Sequence, residues 1–216
     1  MTRSTFGVLF ISALFSASAF SAPAPRAPAP KFEDEFHRQI TLELVGEHNT
    51  LSGDGSFSGT SPVAGVGVGA IWMKSPKFGI EGRFGMFQKK YDTFVTSTGT
   101  SVSGGSLAFT TVRISGEARY YPSPIFSLGA GLFVSSFLGD AQISDANGNS
   151  TSAKYEANRV DIGPVIGARL EAPLAEALNL IIDTRFYVGF VNYDDSSTSS
   201  LYARDFEFGI GVGLPY

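Results

Sequence analysis

Residues 206–216 read FEFGIGVGLPY, and this stretch decides the fold. Every second residue is apolar, from Phe206 through Ile210 to Tyr216, with a glutamate, three glycines and a proline between them. A period of two indicates a β-strand, because successive side chains of a strand point to opposite faces. An unbroken apolar face that ends in an aromatic residue is typical of a strand whose outer side meets lipid.

The same alternation recurs from residue 40 onward and predicts eight strands. The predicted strands are residues 40–47, 63–73, 78–88, 106–120, 125–138, 159–171, 178–190 and 203–216. Short connections alternate with long ones rich in Ser, Thr, Gly, Asn and Asp; the long ones are residues 48–62, 89–105, 139–158 and 191–202. An even number of strands joined in this way predicts an all-β fold, an eight-stranded antiparallel up-and-down transmembrane β-barrel over residues 39–216.

The face opposite the apolar one carries the charged residues of the strands. Eight strands enclose an interior that side chains just fill, so we expect a salt-bridged lumen there. Arginine suits such an interior, because its planar fork can pair with two carboxylates and remains charged when desolvated. Every lysine is expected in a turn, a loop or the tail, and strand glycines are expected to make room for the arginines. The predicted lumen network is Glu43, Glu81, Arg83, Arg113, Glu117, Arg119, Arg159, Asp161, Arg169, Asp183, Arg185, Asp205 and Glu207, with Glu47 and Glu171 on the same face.

Three aromatic residues fall on the apolar face where strands approach a short turn or the end of the sequence. They are Trp72, Tyr120 and Tyr216. Aromatic residues are enriched where a barrel crosses the membrane–water interface. We therefore expect these three side chains to form the periplasmic girdle.

With these features, residues 40–216 resemble the OmpA-like family of small outer-membrane β-barrels. The resemblance covers the transmembrane barrel only, and no peptidoglycan-binding domain is expected after Tyr216. It implies a Gram-negative outer-membrane protein with both termini in the periplasm and the long loops outside the cell. It also implies that the barrel-assembly machinery recognises the last strand, through Phe208, Ile210, Val212, Leu214 and Tyr216.

The residues before the barrel divide into two segments. Residues 1–21 are predicted to be a secretory signal, with Arg3 before a short apolar stretch and cleavage after Ala19 or Ser21. Residues 22–38 begin with a stiff Pro/Ala tract and are predicted to be a periplasmic tail. After the signal there is no run of 18 apolar residues, so no membrane-spanning helix is expected.

Composition excludes several classes of function. The chain has no cysteine, which removes disulfides and thiolate chemistry, and its net charge of −4 gives no basic patch for nucleic acid. No cofactor or metal site is predicted. The residues 145–149 are predicted to be a surface turn rather than a calcium loop, because no acidic residue closes them at the required distance. The catalytic candidate is His48 beside Glu47, with Ser52 and Asp54, and this is too weak a motif for us to predict an enzyme.

Two functions stay open at this stage, besides the remote alternative of a lipid-modifying enzyme. The first is a structural, membrane-organising barrel with a closed lumen and loops for adhesion; the second is a narrow porin or ion channel for small solutes. A homo-oligomeric, porin-like ring is also predicted, because small residues permit close packing in lipid. The residues of that face are Gly82, Gly116, Ala118 and Ala130.

Overall fold

The computed structural model describes residues 38–53, 63–95, 101–145, 147–153, 160–192 and 201–216. The predicted signal sequence and all of the predicted tail except residue 38 lie outside these ranges. Within them, no helix is long and apolar enough to cross a membrane. The strands are β1 (Arg38–Gly53), β2 (Val63–Ser75), β3 (Phe78–Val95), β4 (Ser101–Ser123), β5 (Phe126–Ser144), β6 (Ser150–Ala153), β7 (Val160–Ala175), β8 (Leu178–Val188) and β9 (Leu201–Pro215).

Eight of these strands close into an antiparallel up-and-down barrel, as the sequence predicts. Each strand pairs with its sequence neighbours, β5 pairs with both β4 and β7, and β1 pairs with β9. The closing register sets Ile40 opposite Leu214 and Gly53 opposite Leu201, so β1 and β9 pair along their whole length. The short strand β6 lies outside this circuit and forms a hairpin with the end of β5.

The two ends of the barrel differ in their connections. The β2–β3, β4–β5 and β7–β8 turns are tight, and they lie at the end where β1 begins and β9 finishes; we call this the short-turn end. The other end, the long-loop end, carries the remaining connections. Burial alternates along the strands with a period of two: on β1, Glu43 and Glu47 are buried while Leu42 and Leu44 are exposed. Charge therefore faces inward and apolar side chains face outward.

Several strands run further toward the long-loop end than the sequence pattern predicts. The predicted third strand stops at residue 88, whereas β3 continues to Val95 and pairs with β4 up to the Val95–Ser101 register. Likewise β5 reaches Ser144, six residues past the predicted end. Polar residues in these extensions resemble loop sequence, but backbone pairing with the neighbouring strand keeps them extended.

The core of the molecule is the lumen itself. Buried rings occupy its long-loop half: Tyr91 and Phe137 flank Phe109, with ring centroids 5.7 Å and 4.1 Å away. Nearer the short-turn end, the rings of Phe133 and Tyr187 pack edge to face, with their centroids 5.2 Å apart. The interior is thus a charged network that ends in an aromatic layer.

Candidate functional site

Glu81 on β3 is the centre of the charged cluster in the short-turn half of the lumen. Its carboxylate pairs with Arg119 on β4, and it lies 2.6 Å from Nη2 of Arg169 on β7 and 2.9 Å from Nη2 of Arg185 on β8. The Asp183 carboxylate contacts the same three guanidinium groups at 2.6–3.4 Å. Two carboxylates thus share three arginines from separate strands, and all five side chains are buried.

Arg113 on β4 organises the second cluster, in the long-loop half. Its guanidinium nitrogens lie 3.1 Å from Glu47 Oε2 on β1 and 2.5 Å from Asp205 Oδ2 on β9. The guanidinium carbon also stands 3.9 Å from the centre of the Tyr187 ring. This side chain combines two buried ion pairs with a cation–π contact. A guanidinium suits this arrangement, because its planar group can pair with two carboxylates at its edge while its face lies over a ring.

Lys89 overturns the prediction that every lysine lies outside the lumen. It is fully buried, and its Nζ lies 2.6 Å from Asp205 Oδ2 and 3.7 Å from Glu47 Oε1. The prediction was wrong because it ended the third strand at residue 88. Since β3 continues, the alternation that points Phe87 inward also points Lys89 inward.

Arg83 joins the two clusters into one network. Its guanidinium lies 3.0 Å from Glu43 on β1 and 2.7 Å from Glu207 on β9. Glu43 is also bound by Arg169 at 3.1 Å, and Glu207 lies 3.5 Å from Arg113. Ion pairs therefore run without a break from the short-turn half to the long-loop half, and they connect strands that are not neighbours in the wall.

The outer wall is apolar and carries the predicted girdle and oligomer residues. Trp72, Tyr120 and Tyr216 are exposed toward the short-turn end. The small residues of the predicted oligomer face are contiguous, because Gly82 pairs with Gly116 and Ala118 pairs with Ala130. The predicted assembly-signal residues lie on the outward face of β9, where Phe208, Ile210 and Leu214 are exposed and Val212 is half-buried.

Several solved structures are similar to this barrel. The outer membrane protein OprG of Pseudomonas aeruginosa superposes with a TM-score of 0.56 at 11% identity, over 84% of this chain and 96% of OprG. Ail, the attachment invasion locus protein of Yersinia pestis, superposes with a TM-score of 0.51 at 14% identity, over 85% of this chain and 100% of Ail. The chain has the fold of the small outer-membrane β-barrels. Neither a protein-family model nor a curated protein matches the sequence.

The remaining predicted network residues of this outer-membrane-type barrel differ in their surroundings. Glu117 lies 2.9 Å from Arg185 and joins the Glu81 cluster, whereas Asp161 accepts a hydrogen bond from the Val191 amide. At the short-turn end, the half-buried Glu171 accepts a hydrogen bond from the Tyr121 hydroxyl. Arg159 lies outside the described residues.

The candidate catalytic pair is not assembled in the barrel. Glu47 is buried in the lumen, while His48 is exposed on the outer wall, so the two neighbours point to opposite faces. The side chain of Ser52 and the whole of Asp54 lie outside the described parts of the chain. No group of metal-ligating side chains occurs among the described residues. At the tip of the β5–β6 hairpin, the Asp145 carboxylate accepts hydrogen bonds from the Asn147 and Asn149 amides, as in an ordinary capped turn.

The lumen glycines leave room for several kinds of neighbouring side chain, and not only for the arginines that the sequence analysis predicted. A Cβ on Gly67 would meet the Arg83 guanidinium, which agrees with the prediction. At Gly65 the first side chain met is Phe87, and at Gly209 it is Glu43. The buried rings of the lumen were missed because they lie on predicted polar faces or in predicted loops. Phe87, Tyr91 and Phe109 have odd numbers, like the inward-facing charged residues of β3 and β4. Extending the alternation to these positions would have predicted that the rings face the lumen.

Proposed function

We propose that this protein is a structural, membrane-organising barrel of a bacterial outer membrane, with a closed lumen. The supporting observation is that ion pairs cross the lumen between strands that are not neighbours, as from Arg83 to Glu43 and Glu207. Such pairs tie the walls together and occupy the space through which a solute would pass. An eight-stranded barrel is also of the size that side chains fill.

The orientation and the partners are part of the same proposal. Both termini lie in the periplasm, the long loops face outward, and outer-membrane lipid contacts the apolar wall. The barrel-assembly machinery binds the β9 segment that includes Phe208 and Ile210. The support is the row of outward apolar side chains that runs from Phe206 to Tyr216.

Adhesion is assigned to the long-loop end. The β3–β4 pairing continues to the Val95–Ser101 register, and the β5–β6 hairpin extends from the end of β5. The β5–β6 hairpin presents polar residues such as Asp145 and Asn149 to solvent, and binding residues often lie on such connections. Deleting residues 145–149 should weaken cell attachment without changing membrane insertion.

Planar-bilayer conductance separates a closed barrel from the alternative, a narrow porin or ion channel. We expect the purified protein to give no steady openings, because ion pairs such as those of Arg83 with Glu43 and Glu207 cross the lumen. A larger porin inserted in the same bilayers is the positive control, and heat-modifiable gel mobility verifies folding of the test protein. Steady unitary openings from the folded wild type would refute the closed lumen and support the porin.

A homo-oligomer completes the proposal. The face is the patch formed by Gly82, Gly116, Ala118 and Ala130, which pair across β3, β4 and β5. A Cβ added to Gly116 meets no atom within 4 Å, so this part of the wall is smooth and open to a neighbouring molecule. Small residues favour association in lipid because they let backbones approach closely.

A further inference from the structure

A groove of about 320 Å³ opens on the outer wall across β5, β7, β8 and β9. It is lined by Leu128, Gly129, Ile166, Gly167, Ala168, Thr184, Arg185, Phe186 and Phe206. Of these, Arg185 is buried with its guanidinium in the lumen network. Ala168 and Thr184 are paired in register and are only half-buried, so their short side chains form a floor between larger neighbours. The Thr184 hydroxyl donates to the Ala168 carbonyl at 3.3 Å, which satisfies that donor and leaves the floor apolar.

A cation stands next to this groove on its long-loop side. Arg204 is exposed on β9, two residues from Phe206 on the same outward face, and it pairs in register with Val188. Two residues of a strand span about 7 Å, so the Arg204 side chain begins about that distance from Phe206, on the long-loop side of the groove. His48 of β1 lies opposite Phe206, also exposed on the outer wall, which adds a second nitrogen-bearing side chain beside Arg204.

The position of Arg204 along the barrel matches a membrane interface. Twelve residues separate it from Tyr216, which is about 40 Å along a strand and about 30 Å along the axis of a barrel tilted by roughly 40°. The apolar band of such barrels is about 25 Å tall. An arginine at this height is beside lipid head groups, where an outward-facing charge destabilises the barrel little. Its guanidinium group can bind a phosphate there.

We propose that the groove and Arg204 together bind one phosphorylated glycolipid of the lipid A type from the outer leaflet. An acyl chain lies in the groove over Ala168 and Thr184, and the head-group phosphate accepts hydrogen bonds from Arg204 and His48. The volume is within the range of small-ligand sites, about 300–1,000 Å³, and the mixture of an apolar groove with one cation matches an amphiphile. This assignment rests on the proposed outer-membrane location.

Native mass spectrometry of the detergent-solubilised barrel tests the site. The probes are purified bis-phosphorylated lipid A, its dephosphorylated form and phosphatidylglycerol. We expect wild type to retain one lipid A molecule in preference to the other two. Arg204→Gln should weaken lipid A binding about fivefold, the usual contribution of one cation near an anionic surface. Ala168→Leu, which fills the groove floor, should weaken all acylated probes.

Two control variants are matched to these changes. Lys77→Gln removes an exposed cation at the short-turn end, and Ala172→Leu adds the same volume on the exposed short-turn end of β7; both should bind lipid A like wild type. Equal retention by wild type and Arg204→Gln, or equal binding of phosphatidylglycerol and lipid A, would overturn the inference. Failure of the folded wild type to insert into outer-membrane lipid vesicles would instead refute the proposed location.

Discussion

Arg113 shows how a single residue can stabilise a lumen through two kinds of contact. It pairs with Glu47 and Asp205 and lies over the ring of Tyr187, while its own side chain is almost wholly buried. Lys89 contacts the same two carboxylates. Loss of the guanidinium therefore leaves two buried negative charges beside one positive charge, so the negative charge is no longer balanced.

The first prediction follows for Arg113→Ala. We expect the free energy of unfolding to fall by about 3–5 kcal/mol, the typical cost of breaking a buried ion pair by removing one partner. Urea unfolding of the barrel in detergent, followed by tryptophan fluorescence and gel mobility, measures this. Lys77→Ala, at an exposed turn position, is the control and should be nearly neutral. An unchanged unfolding midpoint for Arg113→Ala would contradict the assigned role.

At the scale of the element, close approach between strands depends on which face a glycine occupies. A Cβ on Gly131 of β5 would fall on the carbonyl oxygen of Gly116 in β4, which is backbone and cannot rotate away. A Cβ on Gly116 would meet nothing within 4 Å. Two glycines on adjacent strands therefore have opposite tolerance of a methyl group.

The second prediction compares Gly131→Ala with Gly116→Ala. The first should destabilise the barrel by more than about 1 kcal/mol, because the two strands must separate locally to admit the methyl group. The second should be neutral or stabilising by about 0.4–1 kcal/mol, through the lower entropy of the unfolded chain. Parallel urea titrations in the same detergent give the two values. Equal midpoints would show that the β4–β5 contact is not as close as described.

The third prediction concerns the tip of the β5–β6 hairpin. Hydrogen bonds from the Asn149 side chain and backbone hold the pKa of Asp145 below its usual value of 3.8. Because the folded pKa is lowered, the capped turn is favoured above the usual pKa and loses this contribution as the pH falls through the lowered one. NMR titration of the carboxyl should show the lowered pKa in wild type and a higher pKa in Asn149→Ala, which loses the side-chain donor but keeps the backbone amides of residues 147 and 149. A pKa at or above 3.8 in wild type would contradict the capped geometry.

At the scale of the whole molecule, the open question is association in the membrane. The patch of Gly82, Gly116, Ala118 and Ala130 is smooth, and the lumen network does not extend to it. Substitutions there alter the outer wall without disturbing the ion pairs that hold the barrel together.

The fourth prediction is that Gly116→Leu and Ala118→Leu abolish a homo-oligomer while leaving folded monomer. Bulk on the patch prevents the close approach on which association in lipid depends. Native mass spectrometry in mild detergent gives the stoichiometry, and heat-modifiable mobility reports the fold. Leu44→Ala, on the exposed side of β1 and separated from the patch by β2, is the control. A wild type that is strictly monomeric, or an oligomer indifferent to both substitutions, would refute the interface.

The amino-acid sequence by itself determined the wall of this barrel. A period of two over eight segments dictates strands, and it assigns Glu43 and Arg113 to one face and Leu42 and Ile114 to the other. Side-chain direction in a strand is a local property, so adjacent residues suffice to predict it. For the same reason the eight strands, their antiparallel order and most of the lumen charges could be predicted.

Only the tertiary structure decided which charged side chains form ion pairs, where the strands end and which part of the outer wall carries a groove. Glu81 binds Arg169 although 88 positions separate them, because closure of the barrel brings β3 and β7 across the lumen. Lys89 faces inward because β4 keeps β3 extended beyond its apolar pattern. The groove over Ala168 exists because Thr184 lies beside it in register and larger side chains surround both. These features depend on register and closure between distant segments, which local alternation does not encode.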